Sequence, residues 1–100
     1  MKQRGPRQPK QQVRQPSLPQ NVVGPTVRRL RYAQKLTQDL LAARCAVAGC
    51  DISRGTLAKI EARIRGVSDV ELFAIAQVLR VPIEDLFPES FKRLLKHGGF

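Results

Sequence analysis

The chain has 100 residues and a formal net charge of +10, from 18 Lys and Arg against 8 Asp and Glu. A chain of this length holds one domain at most, too small for a large cofactor pocket or a second, ligand-sensing domain. The excess charge favours a polyanionic partner, whether DNA, RNA or a membrane surface.

No apolar run reaches the roughly 18 residues of a membrane span, and the N-terminus lacks the apolar centre of a signal peptide. A cytoplasmic protein without membrane contact is expected. Cys45 and Cys50 are the two cysteines. A reducing compartment argues against pairing them, and a zinc site would need two more ligands where the chain offers only His97. Packing or turn positions are expected for both, with neither cofactor nor metal.

Residues 1–20, MKQRGPRQPKQQVRQPSLPQ, hold four prolines, six glutamines and five basic residues without an acid. Almost nothing there is apolar, so burial cannot offset the cost of ordering, and a disordered basic tail is expected. Its use is open between a solubilising leader and an arm that tracks phosphates. The first helix starts near Gly24 or Pro25, because proline tolerates the first helical turn, and fades near Lys35. Val27, Leu30 and Val23 supply its buried stripe. Arg28 and Arg29 are most simply solvated charges, whereas Arg31 falls at the edge of the core and needs a partner.

The second helix covers about 37–48, capped by Thr37, with Leu41, Ala42, Cys45 and Ala48 on one buried face. Leu40, Ala43 and Val47 form an adjacent apolar strip, so the helix is either deeply embedded, the favoured expectation, or packed on another chain. Gly49 ends it. A third, short helix covers about 53–62, capped by Ser53, with Leu57 and Ile60 inward and Arg54, Thr56 and Lys59 pointing elsewhere. Gly55 in its first turn costs about 1 kcal/mol relative to alanine and offers close backbone approach in exchange.

A basic loop over 62–66 leads to Ser68 and Glu71, spaced as a capping box, and a fourth helix runs to about Leu79 with Leu72, Ile75, Ala76 and Leu79 inward. Val81 to Phe87 reads as a short fifth helix with Pro82 at its first position and Glu84 and Asp85 in its first turn. After Pro88, Ser90 to Lys96 has the pattern of one or two further turns before Gly98 and Gly99. No strand-like alternation occurs, so the class is all-α, with a domain over 21–87 and a short, partly helical extension over 88–100.

Taken together, these residues resemble the helix-turn-helix domain of the Cro and phage-repressor (XRE) family, the compact five-helix lambda-repressor-like fold. The likeness rests on Gly24, Val27, Leu30 and Arg31; on Leu36-Thr37-Gln38 and Leu41-Ala42; and on Ile52-Ser53, Leu57 and Ile60-Glu61. It continues through Val67, Asp69, Glu71-Leu72, Ile75-Ala76, Leu79 and Val81. It implies that the third helix lies in the DNA major groove, with Arg54, Gly55, Thr56 and Lys59 at the base-reading positions. It also implies that Gln38 holds a phosphate and braces the reading helix, and that Arg31 and Glu61 form a structural ion pair. Thr37, Ser53, Arg63 and Arg65 complete the expected phosphate and bracing set. Two departures stand out. The chain is longer than the family pattern between Ala42 and Ile52, which adds a turn to helix two or lengthens the connection. Arg63 replaces the glycine that usually ends helix three, so it is either left-handed or extends the helix.

An arginine or lysine can donate to guanine O6 and N7 in the major groove, and a threonine can touch a thymine methyl. That makes the expected function sequence-specific DNA binding by a transcriptional regulator, a repressor that occupies a promoter. A reader this small covers a few base pairs, so a homodimer on double-stranded DNA is expected. Phe73, Phe87, Phe91, Leu94 and Leu95 are its candidate contact, unless they merely close the core. Catalysis is disfavoured, since Glu84 and Asp85 diverge on a helix and no nucleophile has a base beside it. The rival readings are a protein-interaction module on the same fold, an antitoxin or an adaptor on transcription machinery, and a non-specific nucleic-acid binder.

Overall fold

The computed structural model describes residues 21–96, and their side chains as far as Leu94. The expected tail over 1–20, the side chain of Leu95 and residues 97–100, including His97, lie outside the described residues. Five α-helices and one 3-10 turn make up the described chain, with no strand among the described residues. Pro25 occupies the first turn of α1 (Gly24–Ala33). The hydroxyls of Thr37, Ser53 and Ser68 then accept from the backbone N–H three residues ahead and open α2 (Gln38–Val47), α3 (Arg54–Glu61) and α4 (Asp69–Leu79). At α4 the capping box is complete, because the Glu71 carboxylate accepts from the Ser68 N–H at 3.0 Å.

The first four helices close in the same way. A residue one or two places past each C-terminus has positive φ, namely Lys35 (59°), Gly49 (99°), Arg63 (63°) and Arg80 (61°). The next amide in each case donates five residues back, from Leu36 to Arg31, Cys50 to Cys45, Ile64 to Lys59 and Val81 to Ala76. This is the Schellman closure, and only Gly49 makes it without the steric cost of a side chain in the left-handed region. Arg63 therefore ends α3 in a left-handed conformation. In the long stretch between Ala42 and Ile52, α2 runs on to Val47, residues 48–53 connect it to α3, and Ile52 plugs that connection into the core at 2% exposure.

Val27, Leu41, Cys45, Leu57, Ile75, Leu79 and Leu86 meet in one core with no exposed surface. Each such side chain contributes roughly 1.5–3 kcal/mol through burial. Three expectations need correction here. Ala48 is the exposed C-cap of α2 rather than a core residue. Leu40 and Val47 are 40% and 89% exposed, and Ala43 is exposed too, so α2 is not deeply embedded. Its buried face is a narrow one formed by Leu41, Ala42 and Cys45 against α3 and α4. Finally, Val81 to Phe87 forms a 3-10 turn, Ile83–Leu86, with Pro82 as its cap, and the fifth α-helix is α5 (Glu89–Lys96).

Asn21 joins the start of α1 to the end of α3. Its Nδ2 donates to the carbonyls of Ile60 (2.8 Å) and Arg65 (2.9 Å), and its Oδ1 accepts from the N–H groups of Val23 (3.0 Å) and Gly24 (2.9 Å). A Cβ on Gly24 would overlap the Ile60 carbonyl oxygen, so glycine is required where α1 starts against the end of α3. Asn21→Ala leaves these buried groups without partners and is expected to cost about 2–4 kcal/mol. Urea unfolding measures it, and a loss below about 0.5 kcal/mol would show that Asn21 does not pin α1 to α3.

Candidate nucleic-acid interface

Leu57 and Ile60 are fully buried on α3, which fixes how the rest of that helix faces. With them inward, the helical period turns Gly55 and Lys59 to solvent, and Arg54, the first residue of the helix and one turn before Leu57, is exposed as well. Thr56 is half-buried because it leans on the cap: Ser53 Oγ accepts from the Thr56 N–H at 3.1 Å and donates to Thr56 Oγ1 at 3.0 Å. Its methyl group is left as the available contact. The Arg54 side chain is 63% exposed, and its Nε lies 3.8 Å from the Asp39 carboxylate on α2, too far and too wet to hold it. Gly55 has open space around it, with Ser53 Oγ the nearest atom to an added Cβ at 3.9 Å, so nothing within the protein demands glycine there.

Beneath this strip lies a buried ionic network. Arg31 donates from Nε to Glu61 Oε2 at 2.7 Å, from NH2 to Glu61 Oε1 at 2.9 Å and from NH1 to the Leu36 carbonyl at 2.8 Å. Gln38 Nε2 adds a bond to Glu61 Oε1 at 3.1 Å. Both charged residues are 6% exposed. The Glu61 hydrogen bonds raise the Arg31 pKa above its ordinary value against the opposing effect of burial. Gln38 thus braces α3 from the first turn of α2, with Thr37 Oγ1 capping that turn through the Leu40 N–H at 3.0 Å.

Two of the expected phosphate contacts are occupied within the protein. Arg65 makes a bidentate pair with Glu71, at 2.9 Å to each oxygen, and also reaches the Gly66 carbonyl. That pair, helped by the Ser68 backbone bond and opposed by burial, pulls the Glu71 carboxyl down to about 2. Arg63 donates from Nε to the Asn21 carbonyl at 3.0 Å, leaving the rest of its exposed guanidinium to solvent.

Sequence reasoning took Arg28 on α1 for a solvated charge and passed over Tyr32. Arg28 and Tyr32 line an open groove of about 500 Å³ between α1, α2 and α3, together with Thr37, Gln38, Asp39 and Arg54. The Arg28 and Arg31 guanidinium groups lie 5.6 and 4.6 Å from the Tyr32 ring centroid, and hydrogen bonding to Arg28, then to Arg31, lowers the Tyr32 hydroxyl pKa. The available signal was the four-residue spacing of Arg28 and Tyr32, which shares a helix face, next to a buried Arg31. Nothing catalytic collects here. Burial raises the Cys45 thiol to about 11, and among the described residues no cluster of His, Cys, Asp and Glu could hold a metal. Nor is any described helix long and apolar enough to cross a membrane.

A family model described as helix-turn-helix matches residues 27–86, a span that takes in α1 to α4 from Val27 onward and the 3-10 turn. No curated protein and no solved structure matches the chain.

Removing one partner of a buried pair strands the other charge. Arg31→Met is expected to cost about 3–5 kcal/mol in urea unfolding, and the double replacement Arg31→Met with Glu61→Leu to recover most of it. A single variant within about 1 kcal/mol of the wild type would show that the pair is not the brace described.

Proposed function

The chain belongs to the Cro and phage-repressor type of helix-turn-helix family, and from that premise we infer that it is a sequence-specific regulator of transcription whose α3 reads the major groove. One observation carries this reading. Arg54, Gly55 and Lys59 are exposed on α3, with Thr56 half-buried among them, on a helix that buries Leu57 and Ile60 and that a buried ion pair braces. Arg54 and Lys59 donate to guanine O6 and N7, and Thr56 presents a methyl to thymine. Each good bidentate pair discriminates by roughly 1–3 kcal/mol. The set therefore specifies a few base pairs, and a homodimer on half-sites about 34 Å apart doubles them.

The candidate dimer residues divide in two. Phe87 is half-buried against the core and stacks on Phe91, with ring centroids 6.3 Å apart, while Phe73 and Leu94 remain 54% and 42% exposed. The last two are the apolar groups available to a second copy. Bound over a promoter, such a dimer acts as a repressor by occupancy. The other reading, an interaction module, draws its support from the exposed Leu40 and Val47 on α2. It predicts no recovered consensus from a random duplex pool.

Selection from such a pool, by the full chain, is expected to return a short motif repeated with two-fold symmetry. Arg54→Ala should then lose site preference while keeping non-specific binding, and an unchanged preference would remove Arg54 from the readout. Deleting residues 1–20 takes away five basic residues. If that segment tracks phosphates, the log–log salt slope of binding should flatten by roughly 3–4. An identical slope would leave it a solubilising leader.

A further inference from the structure

The groove beside α3 has an unbalanced charge. Its lining includes Arg28, Arg31 and Arg54 against Asp39 and Glu61, with Tyr32 under the first two. Arg31 and Glu61 satisfy one another. Asp39 is the carboxylate nearest Arg54, at 3.8 Å. Arg28 is the cation of the lining with no carboxylate at ion-pair distance among the described residues, and it is placed by Tyr32, itself 59% exposed. The groove therefore carries one positive charge in excess.

We propose that Arg28, held over Tyr32, seats one backbone phosphate of bound duplex in this groove, so that α1 takes part in setting the register of α3. This rests on the reading of α3 as the DNA-contacting helix. A phosphodiester carries a single negative charge, which matches the groove's single excess positive charge. The planar fork of arginine fits two phosphate oxygens, and the Tyr32 hydroxyl is a further donor beside it. The two carboxylates in the same lining disfavour a second phosphate. Contacts of this kind carry no base preference, but they fix where the reading helix sits along the duplex.

The test uses the full chain and the duplex recovered by random-pool selection. Arg28→Ala should bind it roughly five- to tenfold more weakly at about 0.1 M salt, with the salt slope reduced by about 1 and the base preference unchanged. Arg28→Lys should restore the slope. Arg29→Ala, which removes an exposed neighbour that does not line the groove, should leave affinity and slope near the wild-type values. Replacing single phosphates by uncharged methylphosphonate should reveal one position per half-site where the wild type loses affinity and Arg28→Ala loses nothing more. Unchanged affinity and slope in a folded Arg28→Ala, or methylphosphonate losses that add to its own at every position, would overturn the seat while leaving the reading of α3 intact. A wild-type chain that selects no sequence would overturn the reading itself and the seat with it.

Discussion

A guanidinium and a carboxylate taken out of water together hold this domain in shape. Each ion costs several kcal/mol to bury, and the pair is tolerable only when its remaining donors and acceptors are also met. Arg31 and Glu61 meet that condition: Arg31 uses Nε and both terminal nitrogens, and Glu61 takes a third donor from Gln38. The partners come from α1, the turn after it, the first residue of α2 and the last of α3. A shift of α3 relative to α1 and α2 would strand a buried charge, so the orientation of its outer strip is coupled to the integrity of the core. The electrostatics here serve aim more than stability, since an apolar pair of the same size would be nearly as stable.

The end of α3 is secured a second time. Asn21 holds the Ile60 carbonyl, Arg63 turns back onto the Asn21 carbonyl, and Gly24 lets the start of α1 come into contact with that end. The beginning of α3 is held differently, by the Ser53 cap and by Ile52 in the core, while Arg54 next to them stays loose. A helix fixed in direction with exposed donors suits a reader that must match hydrogen-bond positions on base edges.

Local features were legible from residue order alone. Thr37, Ser53 and Ser68 each cap through an amide three residues on, a bond that a short window of sequence contains. The outward placement of Gly55 and Lys59 followed from Leu57 and Ile60 through helical period. Distant bonds were not legible. Asn21 and Ile60 are 39 residues apart, and Gln34 and Leu79, joined at 2.7 Å across the end of α4, are 45 apart. Helix α2 defeated the pattern for another reason: Leu40, Leu41, Ala42, Ala43, Cys45, Val47 and Ala48 surround it with apolar groups, so periodicity alone could not tell which face the neighbours cover. At Val81 to Phe87 the chain is too short for period to separate a 3-10 turn from an α-helical one.

The central claim is that one outward strip of α3, aimed by a buried ion pair, is the surface that meets DNA. Backbone amide shifts of the ¹⁵N-labelled full chain, followed by NMR as the selected duplex is added, test it most directly. The predicted result is that the largest changes fall between Ser53 and Lys59 and at the first turn of α2. Changes concentrated instead on the exposed side of α2 around Leu40 and Val47, with the Ser53 to Lys59 amides unmoved, would contradict it.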